Sequence, residues 1–224
     1  METTISALAA QLQLPRPAPV VPVLPALAEL LPERGLRPGA AVVVGGSTAL
    51  TLALIAAATQ QGTWCAAVGF EDLGLVAAAE SGVELTRLAL VERPGEHWEE
   101  AATALADAVG VLLLRPAGTV GERAAARITA LARRHGCALV VEGGWPSAQV
   151  RLQVTGRQWT GVGQGRGRLR ARRVLVATGG RGAAARGREV GLWLPDEDGA
   201  IRLAEPARTG HGAAERRGHL AVAT

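Results

Sequence analysis

Residues 40–58 combine a buried strand, a tight glycine turn and an apolar helix, and this unit constrains the fold more than any other segment. The strand is Ala41–Val44, the turn contains Gly45 and Gly46, and Gly62 ends the helix. A strand that is apolar throughout, without alternation, is buried on both faces, as in parallel sheets covered by helices on each side. The unit therefore predicts an α/β protein.

Strands and helices alternate along the following eighty residues. The expected strands are Thr63–Val68, Leu85–Val91, Gly110–Leu114 and Cys137–Glu142, and the expected helices are Leu73–Ser81, His97–Val109 and Gly121–His135. Apolar strands separated by helices predict a mostly parallel sheet flanked by helices.

After residue 146 the pattern changes, because the remaining strands have no helix between them. They are expected at Val150–Val154, Arg170–Ala177 and Val190–Leu194, which predicts an antiparallel β-hairpin extension at one edge of the sheet. The chain thus divides into a helix with a proline-rich arm (1–25), a core (26–203) and a tail without periodicity that is expected to be disordered (204–224).

The glycine turn has the layout of a phosphate-binding loop but lacks the residues that such a loop uses. In that motif backbone N–H groups hold phosphates at a helix N-terminus, a Lys contacts the β- and γ-phosphates, and a Ser or Thr binds Mg²⁺. Here Ala49 and Leu50 stand at those two places, and the whole chain contains no lysine. We therefore expect no ATP binding at this degenerate loop, no catalytic residue and no cofactor. The loop comprises Gly45, Gly46, Ser47, Thr48, Ala49 and Leu50.

Cysteine and histidine spacing predicts neither a metal site nor a disulfide framework. Cys65 and Cys137 fall in expected strands and are interpreted as core residues, and the four histidines have no partners at metal-ligand spacing. The N-terminus has no signal-peptide pattern, and no apolar run is long enough to span a membrane. We expect a cytoplasmic protein.

Charge is divided unevenly, with a net −4 over residues 1–150 and +8 over residues 151–224. Arg166, Arg168, Arg170 and Arg172 alternate and would share one face of a strand, with Arg173 on the other face. The segment 161–167 is expected to be a mobile glycine-rich loop. The candidate nucleic-acid contacts are Trp159, Arg166, Arg168, Arg170, Arg172, Arg173, Arg181, Arg186 and Arg188. The alternative is a solvated edge hairpin whose arginines prevent edge-to-edge aggregation.

The order and spacing of several strings resemble the RecA-type recombinase core over roughly residues 25–200. These strings are 52–58 after the glycine turn, 64–71 in the next strand with its acidic end, 82–91 around a Gly-Val-acid-Leu turn, and the hairpin 170–194. The match is closest to the ImuA group, RecA-like accessory proteins of bacterial SOS mutagenesis cassettes, in its actinobacterial form. The family's Mg²⁺-linked acid would fall near Leu114 and Arg115, and neither is acidic; only Glu71 stands where recombinases keep a carboxylate.

The resemblance implies a non-catalytic adaptor in DNA-damage-induced translesion synthesis. It would bind an ImuB-type Y-family polymerase subunit, with RecA or an error-prone replicative-type polymerase as further partners, and could associate with the nucleoid during DNA damage. The alternative is an ATP-independent DNA-binding protein or recombinase regulator that binds single-stranded DNA through the arginine-rich hairpin. A membrane partner is not expected, and the oligomeric state stays open.

Overall fold

The structure is a computed structural model of the 224-residue chain, and it describes residues 19–163 and 166–205. The strands are β1 Val21–Pro22, β2 Gly35–Leu36, β3 Ala41–Gly45, β4 Cys65–Val68, β5 Leu88–Val91, β6 Val111–Leu114, β7 Ala138–Glu142, β8 Val150–Gly163, β9 Arg166–Gly180, β10 Arg188–Trp193 and β11 Arg202–Leu203. The helices are α1 Pro25–Ala28, α2 Thr48–Gln60, α3 Leu75–Glu80, α4 Trp98–Leu105 and α5 Glu122–His135. Short 3₁₀ turns occupy Leu85–Arg87, Gly95–His97 and Gly182–Arg186.

A nine-stranded mixed sheet organises the described part of the chain, in the order β11-β10-β9-β8-β3-β7-β6-β4-β5. The six strands from β8 to β5 pair in parallel, and the strands from β8 to β11 pair antiparallel. The predicted α/β class, with helices around the sheet and an antiparallel C-terminal extension, is confirmed.

Helices cover both faces of the parallel strands. One core contains the side chains of α2, among them Leu50, Leu54 and Ile55, and the opposite core contains Trp98 from α4 and Ile128 from α5. The residues of α2 from Leu50 to Thr59 are all buried, so this helix is apolar around its whole circumference. Burial on both faces explains why β3, β4, β6 and β7 are continuous apolar runs in the sequence.

The structure describes only part of the segments predicted at the two ends of the chain. Residues 1–18 and 206–224, which hold the expected N-terminal helix and most of the expected disordered tail, lie outside the described residues. The last part of the proline-rich arm lies on the core, because β1 pairs antiparallel with β2 and Val23 is buried. Among the described helices, none has both the length and the apolar character needed to cross a membrane.

The C-terminal hairpin is much longer than the sequence predicts. β8 pairs with β3 only over its first four residues, and β9 pairs with β10 only from Arg173 to Thr178. Beyond those contacts β8 and β9 continue as a projection, here called the Arg ribbon (residues 155–163 and 166–172). The backbone of Arg172, at the base of this ribbon, still bonds to Leu194 and Pro195. The prediction of a loop over 161–167 was therefore wrong at both ends, since the ladder reaches Gly163 and resumes at Arg166. Each strand pairs with the inward-facing backbone groups of the other, and both strands are continuations of strands that the sheet already holds.

Candidate functional site

The degenerate phosphate loop keeps the geometry of a strand-to-helix turn. Gly45 ends β3, Gly46 has a φ of 79°, and Ser47 is the N-cap of α2. The Ser47 hydroxyl accepts a hydrogen bond from the Leu50 N–H at 3.2 Å, which satisfies one of the free donors at the helix start. The turn is therefore stabilised by the protein's own side chain.

The two positions that would carry phosphate chemistry have been absorbed into the packing of the helix. Leu50, at the place of the Mg²⁺-binding hydroxyl, is fully buried in the core beside α2. Ala49 is partly buried and packs against the same core. An apolar side chain cannot bind a phosphate or a metal ion through hydrogen bonds or coordination, so neither position supplies the cation or the hydroxyl of the motif.

Arg115 lies against the start of α2, the place where a bound phosphate would lie. It follows β6 directly, and its guanidinium donates to Glu142 Oε2 from Nε at 3.1 Å and from Nη2 at 2.9 Å. Nη2 also donates to the Thr48 hydroxyl at 2.8 Å, and Nη1 donates to Asp72. The guanidinium lies over the Phe70 ring, 4.4 Å from its centroid. Four residues from three separate segments thus hold one arginine at the loop.

Electrostatics within this cluster leave little positive potential for a phosphate. Burial lowers the pKa of Arg115, but its hydrogen bonds to Glu142 and Asp72 outweigh burial and raise the pKa overall. The hydrogen bond from Arg115, with its positive charge, holds the pKa of Asp72 below its usual value. Two carboxylates therefore balance a single guanidinium. Glu142 Oε1 is enclosed and has no hydrogen-bond partner among the described residues, so Arg115 is the main partner of this carboxylate.

Side chains from β8 cover the other side of the turn. Arg157 Nη2 donates to the Gly46 carbonyl, and the Gln153 amide lies so close to Gly45 that an added Cβ there would overlap its oxygen. Together with Arg115, these residues occupy both flanks of the turn, and the loop is called closed below in this sense, while Gly46 itself is exposed. We call the cluster of Thr48, Asp72, Arg115 and Glu142 the Arg115 cluster.

Sequence reasoning identified the absence of an acid at Arg115 but missed the role of the arginine itself. The available signal was a basic residue directly after an apolar strand, at the edge of the sheet where Glu142 also ends a strand. Glu71, the carboxylate carried over from the resemblance, is exposed and makes no side-chain hydrogen bond among the described residues. Its neighbour Asp72 contacts Arg115 instead.

The Arg ribbon carries part of the predicted nucleic-acid set. Trp159 is 47% exposed, Arg172 stacks on its ring at 5.2 Å, and Arg168 and Arg170 are exposed. The ladder is irregular opposite Gly161, between the pairs Thr160–Ala171 and Val162–Gly167. The simple alternation predicted from Arg166 to Arg172 is interrupted there, because extra residues of β9 oppose a single residue of β8.

Arg172 takes part in the fold as well as in this surface. Its Nε donates to the Leu194 carbonyl at 2.7 Å, and burial, with a smaller effect from the charge of Arg157, lowers its pKa. The backbone of Arg166 pairs with Gly163 at the far end of the ribbon.

The remaining predicted contacts are not brought onto the ribbon. Arg173 donates to the Glu205 carbonyl at 3.1 Å, and Arg181, Arg186 and Arg188 lie at the opposite end of β9. At about 3.3 Å per residue, Arg168 and Arg181 are separated by roughly 40 Å of strand. The nine residues are therefore divided. The ribbon holds Trp159, Arg166, Arg168, Arg170 and Arg172, Arg173 lies where β9 pairs with β10, and a distant group lies after β9 and at the start of β10: Arg181, Arg186 and Arg188.

Neither the cysteines nor the acidic residues form a chemical site in the described part of the chain. Burial raises the pKa of Cys65 to about 12, with a further contribution from Cys137, and burial raises that of Cys137 to about 12 as well. Such thiols stay protonated and unreactive near neutral pH. No three His, Cys, Asp or Glu side chains of these residues are grouped so that they could hold a metal ion.

Comparison with known proteins shows the family of this chain. Residues 29–147 match the model of the MT3502 N-terminal domain, and since the match spans more than half of the chain, the protein belongs to that family. An uncharacterized protein of Mycobacterium tuberculosis (strain ATCC 25618 / H37Rv), Rv3395c, is 40% identical over 119 residues, which are 52% of this chain and 58% of the relative. The chain therefore matches little more than half of that relative's length. The family match contains the degenerate loop and the Arg115 cluster, while the Arg ribbon lies beyond it.

Proposed function

We propose that this member of the MT3502 N-terminal domain family is a non-catalytic, RecA-like accessory protein of DNA-damage-induced translesion synthesis. We further propose that it binds an ImuB-type Y-family polymerase subunit. The resemblance of its strings to the ImuA group supports both statements, and its mycobacterial relative agrees with an actinobacterial origin for that group.

The layout of the sheet supports the RecA-like part of this proposal. Five parallel strands run in the order β8-β3-β7-β6-β4, and the glycine turn follows β3, where nucleotide-binding α/β proteins place their phosphate loop. Arg115 and Glu142 end two neighbouring strands, β6 and β7, at the same edge.

The Arg115 cluster is the observation that supports the proposal of a protein without catalytic activity. Phosphoryl transfer depends on positioned positive charge and metal ions around the transferred group. At this loop the guanidinium is bonded to Glu142, Asp72 and Thr48, and no lysine exists elsewhere in the chain to replace it. A fold whose reaction centre is closed in this way acts through its surface, as an adaptor does.

The N-terminal turn of α3 is the surface that best fits a protein partner. Leu75 and Val76 are 47% and 73% exposed, and Val76 is the most exposed large apolar side chain of the described residues. α3 begins three residues after Asp72, so the bond from Arg115 to Asp72 anchors the segment that presents both side chains. Exposed aliphatic residues on an anchored segment can serve as the apolar centre of an interface.

The proposal predicts that the purified full chain binds the ImuB-type subunit without any nucleotide. In calorimetry the dissociation constant should stay within about twofold when millimolar Mg-ATP is added, because the closed loop has no nucleotide-dependent state. Replacing Leu75 and Val76 together with serine should weaken binding roughly tenfold, the loss of about 1.4 kcal/mol of apolar contact.

The matched control replaces Val162 and Leu169 on the Arg ribbon with serine, since these side chains are 55% and 53% exposed and equally apolar. Their loss should leave the affinity for the polymerase subunit unchanged. Failure of the wild-type chain to associate, or association only in the presence of ATP, would remove the adaptor proposal.

DNA binding through the Arg ribbon is a second candidate function, favoured by a separate observation. The ribbon carries five arginines and no acidic residue, and it projects beyond the strands that flank it. Guanidinium groups suit phosphate contact, and the half-exposed indole of Trp159 offers a stacking platform for an unpaired base. This activity needs no nucleotide hydrolysis, so it is compatible with the adaptor proposal.

A further inference from the structure

A cavity of about 550 Å³ lies at the end of the sheet opposite the closed loop. The loop follows the carboxyl end of β3, whereas this cavity is lined by the residues before and at its amino end, from Gly39 to Val42. Its other walls come from the segment 31–37, from α5, from the segment that enters β8, and from Arg181 and the two residues after it. The volume falls within the usual range of small-molecule sites.

Three arginines from three separate segments line this cavity. They are Arg37 before β3, Arg133 in the last turn of α5, and Arg181 after β9. Glu33 is the one acidic lining residue, and it is paired with Arg37 at 3.1 Å. The Arg133 side chain makes no hydrogen bond or ion pair within the described residues, and Arg181 makes only a long contact of 3.5 Å to the Pro146 carbonyl. The cavity therefore has an excess of positive charge.

Main-chain contacts fix the walls from which these arginines project. Gly39 packs directly on Arg133, leaving only 2.5 Å between an added Cβ and the Arg133 Cβ, and its N–H donates to the Cys137 carbonyl at 2.7 Å. Gln149 donates from its N–H to the Ala41 carbonyl at 3.0 Å and accepts at its carbonyl from the Arg181 N–H at 2.9 Å. The cavity is thus formed before any ligand arrives.

The rest of the lining offers both an apolar wall and further hydrogen-bonding groups. Leu31, Val42 and Val150 are buried side chains at the cavity wall. Ser147 and Gln149 also line it, and neither side chain makes a hydrogen bond in the described part of the chain. A small apolar surface with a few converging polar groups is typical of a ligand site.

We propose that this cavity binds a small molecule that carries two or more negative charges, as phosphate or carboxylate groups, on a compact body. Guanidinium groups form paired hydrogen bonds with either kind of anion. Arg133 and Arg181 have no acidic partner among the described residues, and two such arginines match a dianion better than a single charge. The site is independent of the Arg ribbon and of the proposed polymerase surface.

Calorimetric titration of the full chain with sodium pyrophosphate and with citrate tests this assignment. Saturable binding of one ligand per chain is expected for at least one probe, and the stronger probe identifies phosphate or carboxylate as the preferred group. Replacing Arg133 and Arg181 together with alanine should weaken binding roughly tenfold or more, through loss of charge-assisted hydrogen bonds. Glu33→Gln should strengthen binding severalfold, because it removes the one acidic side chain among the described residues that line the cavity and frees Arg37.

Two controls separate the cavity from general attraction to a basic protein. Replacing Arg134 and Arg186, exposed arginines that do not line the cavity, removes the same charge and should leave the affinity within about twofold. Replacing Arg168 and Arg170 on the ribbon should also leave it unchanged. The assignment is overturned if neither probe saturates, if either control weakens binding as much as the cavity variant, or if Glu33→Gln weakens it. The expected gain in the last variant cannot come from unfolding.

Discussion

Replacing Arg115 with alanine is expected to lower the free energy of unfolding by about 2 kcal/mol. The Glu142 side chain is only 15% exposed, and its Oε1 is already enclosed without a partner, so losing the guanidinium would leave a largely buried charge with little compensation. Removing one member of a fully buried ion pair typically costs about 3–5 kcal/mol. The Arg115 side chain is 27% exposed, which reduces the expected loss, since water can solvate part of the vacated site.

Urea unfolding measures this loss of stability. An unchanged slope of the unfolding free energy against urea concentration would show that the variant and the wild type expose the same surface on unfolding. Arg93→Ala is the matched control, because that arginine is exposed and makes no ion pair among the described residues, and its effect should stay below about 0.5 kcal/mol. Adding Glu142→Gln to Arg115→Ala should recover about 1 kcal/mol by removing the stranded charge. An Arg115→Ala variant as stable as Arg93→Ala would contradict the described cluster.

The second large effect is expected on DNA affinity when Arg168, Arg170 and Arg172 are all replaced with alanine. If each contacts a phosphate, the slope of the logarithm of the binding constant for single-stranded DNA against the logarithm of salt concentration should become less steep by about 2. Each lost contact accounts for roughly 0.7 of that change. At about 0.1 M salt the affinity should fall around a hundredfold, because three charge-assisted contacts are lost.

Fluorescence anisotropy with a labelled single-stranded oligonucleotide at several salt concentrations gives both quantities. The control triple variant, Arg93→Ala with Arg123→Ala and Arg134→Ala, removes equal charge from exposed positions on other elements. Because Arg172 also bonds to the Leu194 carbonyl, a double variant that keeps it should still flatten the slope by about 1.4. A slope that is unchanged in both ribbon variants would exclude the ribbon as the DNA contact.

The parallel part of the fold follows closely from local sequence. The apolar runs that become β3, β4, β6 and β7 have no alternation because helices cover both faces, and this pattern is visible without any tertiary information. Helix ends could also be predicted from the sequence. Gly136, for example, takes the left-handed conformation that ends α5. Predicted and observed elements in this region agree to within a few residues. The largest difference is in α4, which ends at Leu105 and not at the expected Val109.

The Arg ribbon was harder to predict because nothing is buried against most of its length. Without a core-facing side, residues near Gly161 show no apolar alternation, and their glycines resemble a loop. The strands form there because their backbones pair with each other. This pairing depends on the register set at Val150–Val154, well away from the glycines.

The Arg115 cluster could not be assembled from sequence for a different reason. Thr48, Asp72 and Glu142 lie 67, 43 and 27 residues from Arg115, and only the order of the parallel strands brings them to one edge of the sheet. The absence of lysine, and of an acid at the end of β6, was evident from the amino-acid sequence alone. The position of Arg115 beside the start of α2 could be seen only once the order of the strands in the sheet was known.

Calorimetric titration of the full chain with Mg-ATP at millimolar concentration tests the central claim most directly. With Arg115 bonded to Glu142 at one side of the turn and Arg157 bonded to Gly46 at the other, we expect no saturable heat and no release of phosphate above a blank. Saturable binding that is lost when Gly46 is replaced, or measurable ATP turnover, would contradict the closed loop and the non-catalytic function that we propose from it.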